Sequence, residues 1–208
     1  MPRSSFMRAV LFDLDGVLID SYQVWHAVIN AYARDHGYAE ISDEQMGVGW
    51  GQGVDADAEM FFPGSEVAVL EDYYNEHFLD HLAHLEVTDG ARYVLDDLRE
   101  IGCATAIVTN TPTVLTHQLL EKASLAPVEV VGSSDVLHSK PAPDMVLRAC
   151  ELLDITPRDA AMIGDSSFDS DAAAAAGVPF LSYRWDGGRR VDDLGEIIDL
   201  VRSRREGA

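Results

Sequence analysis

Ala9-Val10-Leu11-Phe12-Asp13-Leu14-Asp15-Gly16-Val17 passes from an unbroken apolar run directly into two acids and a glycine. A short run of apolar residues ending at a polar cluster predicts a buried strand. Two acids one residue apart point to the same side of an extended chain. Like charges that close are costly unless a cation or a shared proton settles them. The glycine falls at the fourth position counted from Asp13, where a helix–loop–helix calcium site needs it at the sixth, so that site is excluded.

Outward from this strand the pattern is helical and then alternates. Asp20-Ser21 offers an N-cap for a helix with Val24, Trp25, Val28, Ile29 and Tyr32 at helical spacing, stopping near Gly37. Ser42 and Gln45 make a capping box, Gly47 to Gly53 reads as a loop, and a further helix from Ser65 places Val67, Leu70, Tyr74, Phe78 and Leu82 inward. Residues 21–86 thus read as all-helical. Beyond them, a helix capped by Thr88 is followed by strands over Cys103–Val108, Val128–Val131, Ala160–Ile163 and Val178–Ser182. Helices are expected from Thr111-Pro112, from Pro143, over Phe168–Ala176 and from Val191 to Arg202. Strands alternating with helices imply right-handed crossovers and a parallel sheet covered on both faces. The fold class is therefore α/β, Rossmann-like, with an inserted helical segment after the first strand.

Ligands of open parallel sheets bind at the carboxyl ends of the strands. Those ends carry the polar residues of interest. Val108-Thr109-Asn110-Thr111-Pro112 puts Thr109 and Asn110 at a strand end beside a helix start, where a hydroxyl suits a phosphate oxygen; a helix cap by Thr111 explains the same letters. Ser139-Lys140-Pro141 supplies a point charge able to balance carboxylates and phosphate, or else a solvated loop lysine. Gly164-Asp165-Ser166-Ser167-Phe168-Asp169 adds two carboxylates, and several hard oxygens with room for water and phosphate are what Mg²⁺ requires; helix capping is the alternative use of that stretch.

The bulk composition narrows the class. In 208 residues there are 36 acidic against 15 basic side chains, a formal net charge of -21, which argues against nucleic-acid or membrane-surface partners. Lys122 and Lys140 are the only lysines, and so acidic a surface is expected of a salt-adapted (halophilic) protein. Cys103 and Cys150 have neither a redox nor a zinc spacing and read as core. Met1 to Arg8 lacks a signal-peptide run and no apolar stretch is long enough to span a membrane, so a cytoplasmic location is expected.

With these residues in order, the chain resembles the haloacid dehalogenase-like superfamily. Asp13 and Asp15, Thr109, Lys140, and Asp165 with Asp169 match its motifs. Val17-Leu18-Ile19-Asp20-Ser21 and Ser139-Lys140-Pro141-Ala142-Pro143-Asp144 resemble its phosphoglycolate-phosphatase-like branch. The resemblance implies a core domain of residues 1–19 and 88–208, a helical cap of residues 20–87, and a central first strand. It implies Asp13 as nucleophile forming an aspartyl-phosphate, Asp15 as general acid and base, and Thr109, Asn110 and Lys140 on the phosphoryl group. Mg²⁺ is expected on Asp13, the Asp15 backbone carbonyl and Asp165, with Asp169 behind them or pairing Lys140. The expected substrate is a small phosphorylated metabolite such as phosphoglycolate or a sugar phosphate, handled by a monomer or homodimer. The alternatives are a 2-haloacid dehalogenase, which needs no Asp15, a sugar phosphomutase, which needs cap cations beyond Arg34, and a non-catalytic phosphometabolite-binding protein.

Overall fold

A computed structural model describes residues 7–127 and 129–206, side chains of 204–206 excepted. Residues 1–6 of the N-terminal stretch read above, and Val128, expected to open a strand, lie outside the described residues. In chain order the elements begin with β1 (Ala9–Phe12) and β2 (Ile19–Asp20). Then come α1 (Tyr22–His36), α2 (Asp43–Gly49), α3 (Val54–Met60) and α4 (Val67–His77), a 3-10 stretch over Phe78–His84, and β3 (Glu86–Val87). The alternating part follows as α5 (Ala91–Glu100), β4 (Ala104–Val108), α6 (Thr113–Ala123), β5 (Glu129–Val131) and α7 (Asp144–Leu152). It closes with β6 (Ala160–Gly164), α8 (Ser167–Ala176), β7 (Phe180–Tyr183), β8 (Arg189–Val191) and α9 (Gly195–Glu206).

The main sheet has six parallel strands in the order β5-β4-β1-β6-β7-β8. β1 therefore lies between β4 and β6, with Phe12 opposite Ile107 on one side and Ile163 on the other. Every residue of β1 is fully buried. Alternate side chains enter opposite layers, as a strand's period of two demands. Leu11 joins Ala106, Val108, Met145, Val146 and Met162, whereas Val10 and Phe12 join the larger cluster containing Val94, Leu98, Leu115 and Ile197. Each such burial contributes roughly 1.5–3 kcal/mol. The register brings the C-terminal ends of β1, β4 and β6 side by side, so that the residues just beyond them, Asp13, Thr109 and Asp165, share one edge.

The chain leaves this edge through β2 and returns through β3, which pair antiparallel with Ile19 opposite Val87 and Asp20 opposite Glu86. Between them the helices pack on their own aromatic contacts. Trp25 meets Tyr74 and Phe78 edge-on at centroid distances of 5.3 and 4.6 Å.

Several boundaries differ from expectation, each for a local reason. The reading of residues 21–86 as purely helical misses the two-residue β3, which is too short to show a period. The loop expected over Gly47–Gly53 starts late, because the Ser42–Gln45 capping box nucleates α2 and carries it to Gly49. Val67 is exposed, since α4 begins there and turns its later residues Leu70 and Tyr74 inward. α5 starts after Gly90 (φ 84°) and not at Thr88. Pro112 is the N-cap of α6 and not its first residue. Residues 189–191 form an edge strand, and α9 begins only at Gly195, after Asp192 and Asp193 have given their backbone N–H groups to Glu196.

Candidate active site

Asp13 is 3% exposed and follows β1 without a break; its backbone N–H donates to Ile163 O at 2.9 Å. Its Oδ1 accepts the Leu14 N–H at 2.7 Å and lies 2.9 Å from Lys140 Nζ. Lys140 is buried as well. Its ammonium donates to Asp169 Oδ1 at 2.6 Å and to the Val108 carbonyl at 3.0 Å. Three donors therefore meet three acceptors. Asp13 and Asp169 hold the ammonium above its ordinary pKa although burial alone would lower it.

Asp169 is fully buried and serves two elements. Its Oδ2 accepts from Ser166 N and Ser166 Oγ, and Ser166 Oγ accepts the Asp169 N–H, which caps α8. Its other oxygen holds Lys140. Gly164 is required just before it, because a Cβ there would lie 2.3 Å from Asp169 Cβ.

Asp15 sits on the same loop with a different set of partners. Its Oδ2 accepts from Thr111 Oγ1 at 2.6 Å and from Thr109 Oγ1 at 3.3 Å; its Oδ1 accepts from Trp25 Nε1 at 3.0 Å and from Ser21 Oγ. Four uncharged donors thus hold one carboxyl group, two from the end of β4 and two from the entry to α1. Ser21 occupies the N-cap position of α1, but its hydroxyl serves Asp15 and makes no cap bond. Thr111 likewise serves Asp15 and not α6. Ser21, Trp25 and Thr111 are the site residues that sequence reasoning missed: an indole or hydroxyl is read as core or cap until the fold brings it to an acid. The Thr-x-Thr spacing over residues 109–111 was the available signal.

Asn110 was expected on the phosphoryl group. Its amide is engaged elsewhere: Nδ2 donates to Gly51 O at 2.8 Å and to Lys140 O at 3.0 Å, and Oδ1 accepts the Lys140 N–H at 2.9 Å. It positions the backbone of Lys140 and fastens the loop after α2 to the sheet edge. Trp50 in that loop donates its indole N–H to Asp165 Oδ2 at 3.0 Å.

Carboxylate oxygens of Asp13, Asp165 and Asp169 lie within 4.8 Å of one another. Asp165 Oδ1 is buried without a hydrogen-bond partner. Burial raises Asp13 well above the ordinary carboxylate range, with Asp169 next in effect, and raises Asp165 to about 7 for the same two reasons. An orphaned buried carboxylate oxygen in a cluster carrying more negative charge than Lys140 can offset fits a hard divalent cation such as Mg²⁺. The carboxyl group of Asp15, expected among the metal residues only through its backbone, is not one of the three. Gly16 (φ 80°) lets the loop approach, since a Cβ there would stand 1.9 Å from Asp165 Oδ2.

Above these groups lies a cavity lined from the sheet edge by Asp13, Asp15, Thr109 and Lys140 and from the helices by residues of α1, α2 and α3.

The sequence profile of the haloacid dehalogenase-like hydrolases matches residues 10–183. A Caldanaerobacter subterraneus protein provisionally named pyrophosphatase PpaX is 32% identical over 184 residues, 86% of this chain and 82% of its own. The phosphoglycolate phosphatase of Xanthomonas campestris pv. campestris is 31% identical over 194 residues, 90% of this chain and 87% of its own. Among solved structures, a haloacid dehalogenase superfamily hydrolase of Geobacter sulfurreducens superposes with a TM-score of 0.71 at 27% identity, covering 95% of this chain and 97% of that one.

Proposed function

Since this chain belongs to the haloacid dehalogenase-like hydrolase family, we propose that it is a Mg²⁺-dependent phosphatase that passes the phosphoryl group of a small phosphomonoester through Asp13 to water. The observation that carries this reading is the pairing of two differently furnished acids on one loop. Asp13 is held against a buried ammonium, and Asp15 is held two residues on by four neutral donors.

The division of labour follows from those surroundings. Lys140 opposes the burial that raises Asp13 and so favours its carboxylate form, whose oxygen attacks phosphorus as the ester oxygen departs. Asp15 gives that oxygen its proton, and the alcohol leaves. Asp15 then takes a proton from the water that attacks the aspartyl-phosphate, which regenerates Asp13 and releases inorganic phosphate. The ammonium hydrogens of Lys140 are engaged with Asp13, Asp169 and Val108, so Lys140 acts on the phosphoryl group chiefly as charge. The Thr109 hydroxyl, whose 3.3 Å bond is the longest of the four to Asp15, would turn from it to the phosphoryl edge. Asn110, whose side chain is engaged, has only its main chain to offer. Asp13, Asp165 and the Asp15 carbonyl would hold Mg²⁺, with Asp169 behind them; the ion supplies positive charge for the phosphoryl oxygens.

Residues 20–87 act in this reading as a cap on a core of residues 1–19 and 88–208. The Trp50–Asp165 and Asn110–Gly51 bonds across the cavity support it. A dehalogenase would have no use for the four donors on Asp15. The enzyme is expected to work in the cytoplasm as a monomer or homodimer; no helix among the described residues is long and apolar enough to cross a membrane.

Release of phosphate from an aryl phosphate, with and without Mg²⁺, in the wild type and in Asp13→Asn tests the proposal. Turnover that needs the metal and vanishes in the variant is the expected result. Turnover persisting in Asp13→Asn would overturn Asp13 as nucleophile.

A further inference from the structure

The helical part of the cavity lining differs in kind from the sheet edge. Trp25, Ile29, Met46 and Val54 are apolar, and the polar groups among them are Gln52 and Asp57. Among the described residues the one cation in the lining is Lys140, whose donors are already engaged. Arg34, the single arginine of residues 20–87, is exposed and lies outside the lining.

Asp57 sharpens the point. It is 7% exposed, its Oδ1 accepts from Gln52 Nε2 at 2.6 Å, and its Oδ2 accepts from Tyr74 OH at 3.0 Å. Both donors are neutral, and no ion pair among the described residues offsets the carboxyl group; burial is what raises its pKa, to about 7. An anion entering beside it would be desolvated against an apolar wall and face either a like charge or a single proton to share. A neutral alcohol portion meets no such cost, and its apolar surface is removed from water.

Resting on the phosphatase reading above, we propose that the site selects phosphomonoesters whose alcohol portion is uncharged and largely apolar, and that Asp57 rejects those bearing a second anionic group. Phosphoglycolate, the substrate in the name of the Xanthomonas relative, belongs to the rejected class. The helical lining carries no cation with which to receive a carboxylate.

Two readouts separate this proposal from the one it rests on. In wild-type protein with Mg²⁺, kcat/KM for phenyl phosphate should exceed that for phosphoglycolate by roughly a hundredfold. Titration calorimetry on Asp13→Asn with Mg²⁺ should rank the two ligands in the same order. In Asp57→Asn the discrimination should narrow by about tenfold, because a near-isosteric amide removes the acid. Phosphoglycolate turned over or bound as well as phenyl phosphate by protein with Asp57 intact would overturn the selectivity. A ratio unchanged in folded Asp57→Asn would overturn the role of Asp57. Absence of turnover with every ester would sink the phosphatase reading alone, since the calorimetric ranking still decides the selectivity.

Discussion

Lys140 sits where removing one side chain exposes two others. Without its ammonium, Asp13 and Asp169 become buried carboxylates with no counter-charge, and breaking a buried pair from one side costs about 3–5 kcal/mol. Lys140→Met is therefore expected to lower stability by that order in urea unfolding and to abolish turnover; stability within 1 kcal/mol of wild type would show that the acids find protons or water instead. Asp57 gives a pH test with a definite sign. Its folded pKa, about 7, lies above the 3.8 of the exposed group. The protonated form is thus favoured in the folded state, and the stability Asp57 contributes is present below pH 4 and lost as pH rises toward 7. The loss is on the order of 4 kcal/mol across that window. The stability difference between Asp57→Asn and wild type should accordingly grow in favour of the variant from pH 4 to 7, and parallel pH curves would refute the assignment. Asp13, Asp15 and Asp165 were legible as residues because each is a charge just beyond an apolar run, and Lys140 because it is one of only two lysines and stands in a loop before a helix. Ser21, Trp25 and Thr111 were not, because their meaning comes from a partner, Asp15, that sequence spacing does not place beside them.

At the scale of elements, the turn between β1 and β2 is fixed by Gly16, which has a left-handed backbone and no room for a Cβ beside Asp165. Gly16→Ala meets both obstacles. The backbone term alone costs roughly 1–2 kcal/mol, and the displaced Asp165 should weaken Mg²⁺ binding. Melting curves with and without Mg²⁺ are expected to show a lower midpoint and a smaller metal-induced rise; a midpoint and a rise like those of wild type would refute the close approach. The long periodic elements were readable because packing repeats along them, as in α1, α5 and the strands around β1. The strands missed, β2, β3 and β8, are two or three residues long and depend on a neighbour for their hydrogen bonds. Helix starts moved for a related reason. At α1 and α6 the hydroxyls that look like caps are taken by Asp15, whereas α8 keeps its cap because Asp169 can serve the helix with one oxygen and Lys140 with the other.

Across the whole molecule, the net charge of -21 is set against a single exposed lysine, Lys122, since Lys140 is interior. Self-repulsion of that size weakens as salt shortens the screening length from about 10 Å at 0.1 M to about 3 Å at 1 M. The melting midpoint should rise by about 5 °C or more between 0.1 and 2 M KCl, and a flat response would argue against salt adaptation. The two neighbouring crossings at Ile19–Asp20 and Glu86–Val87 carry one more consequence. In the proposed reading, the lining residues that would distinguish one alcohol from another, from Trp25 to Asp57, fall in a single uninterrupted stretch of the chain, while the proposed reacting groups Asp13, Thr109 and Lys140 fall outside it. A gene with this layout can acquire a new preference by recombination at two points that meet in space, provided the incoming stretch again supplies the donors that Ser21 and Trp25 give to Asp15.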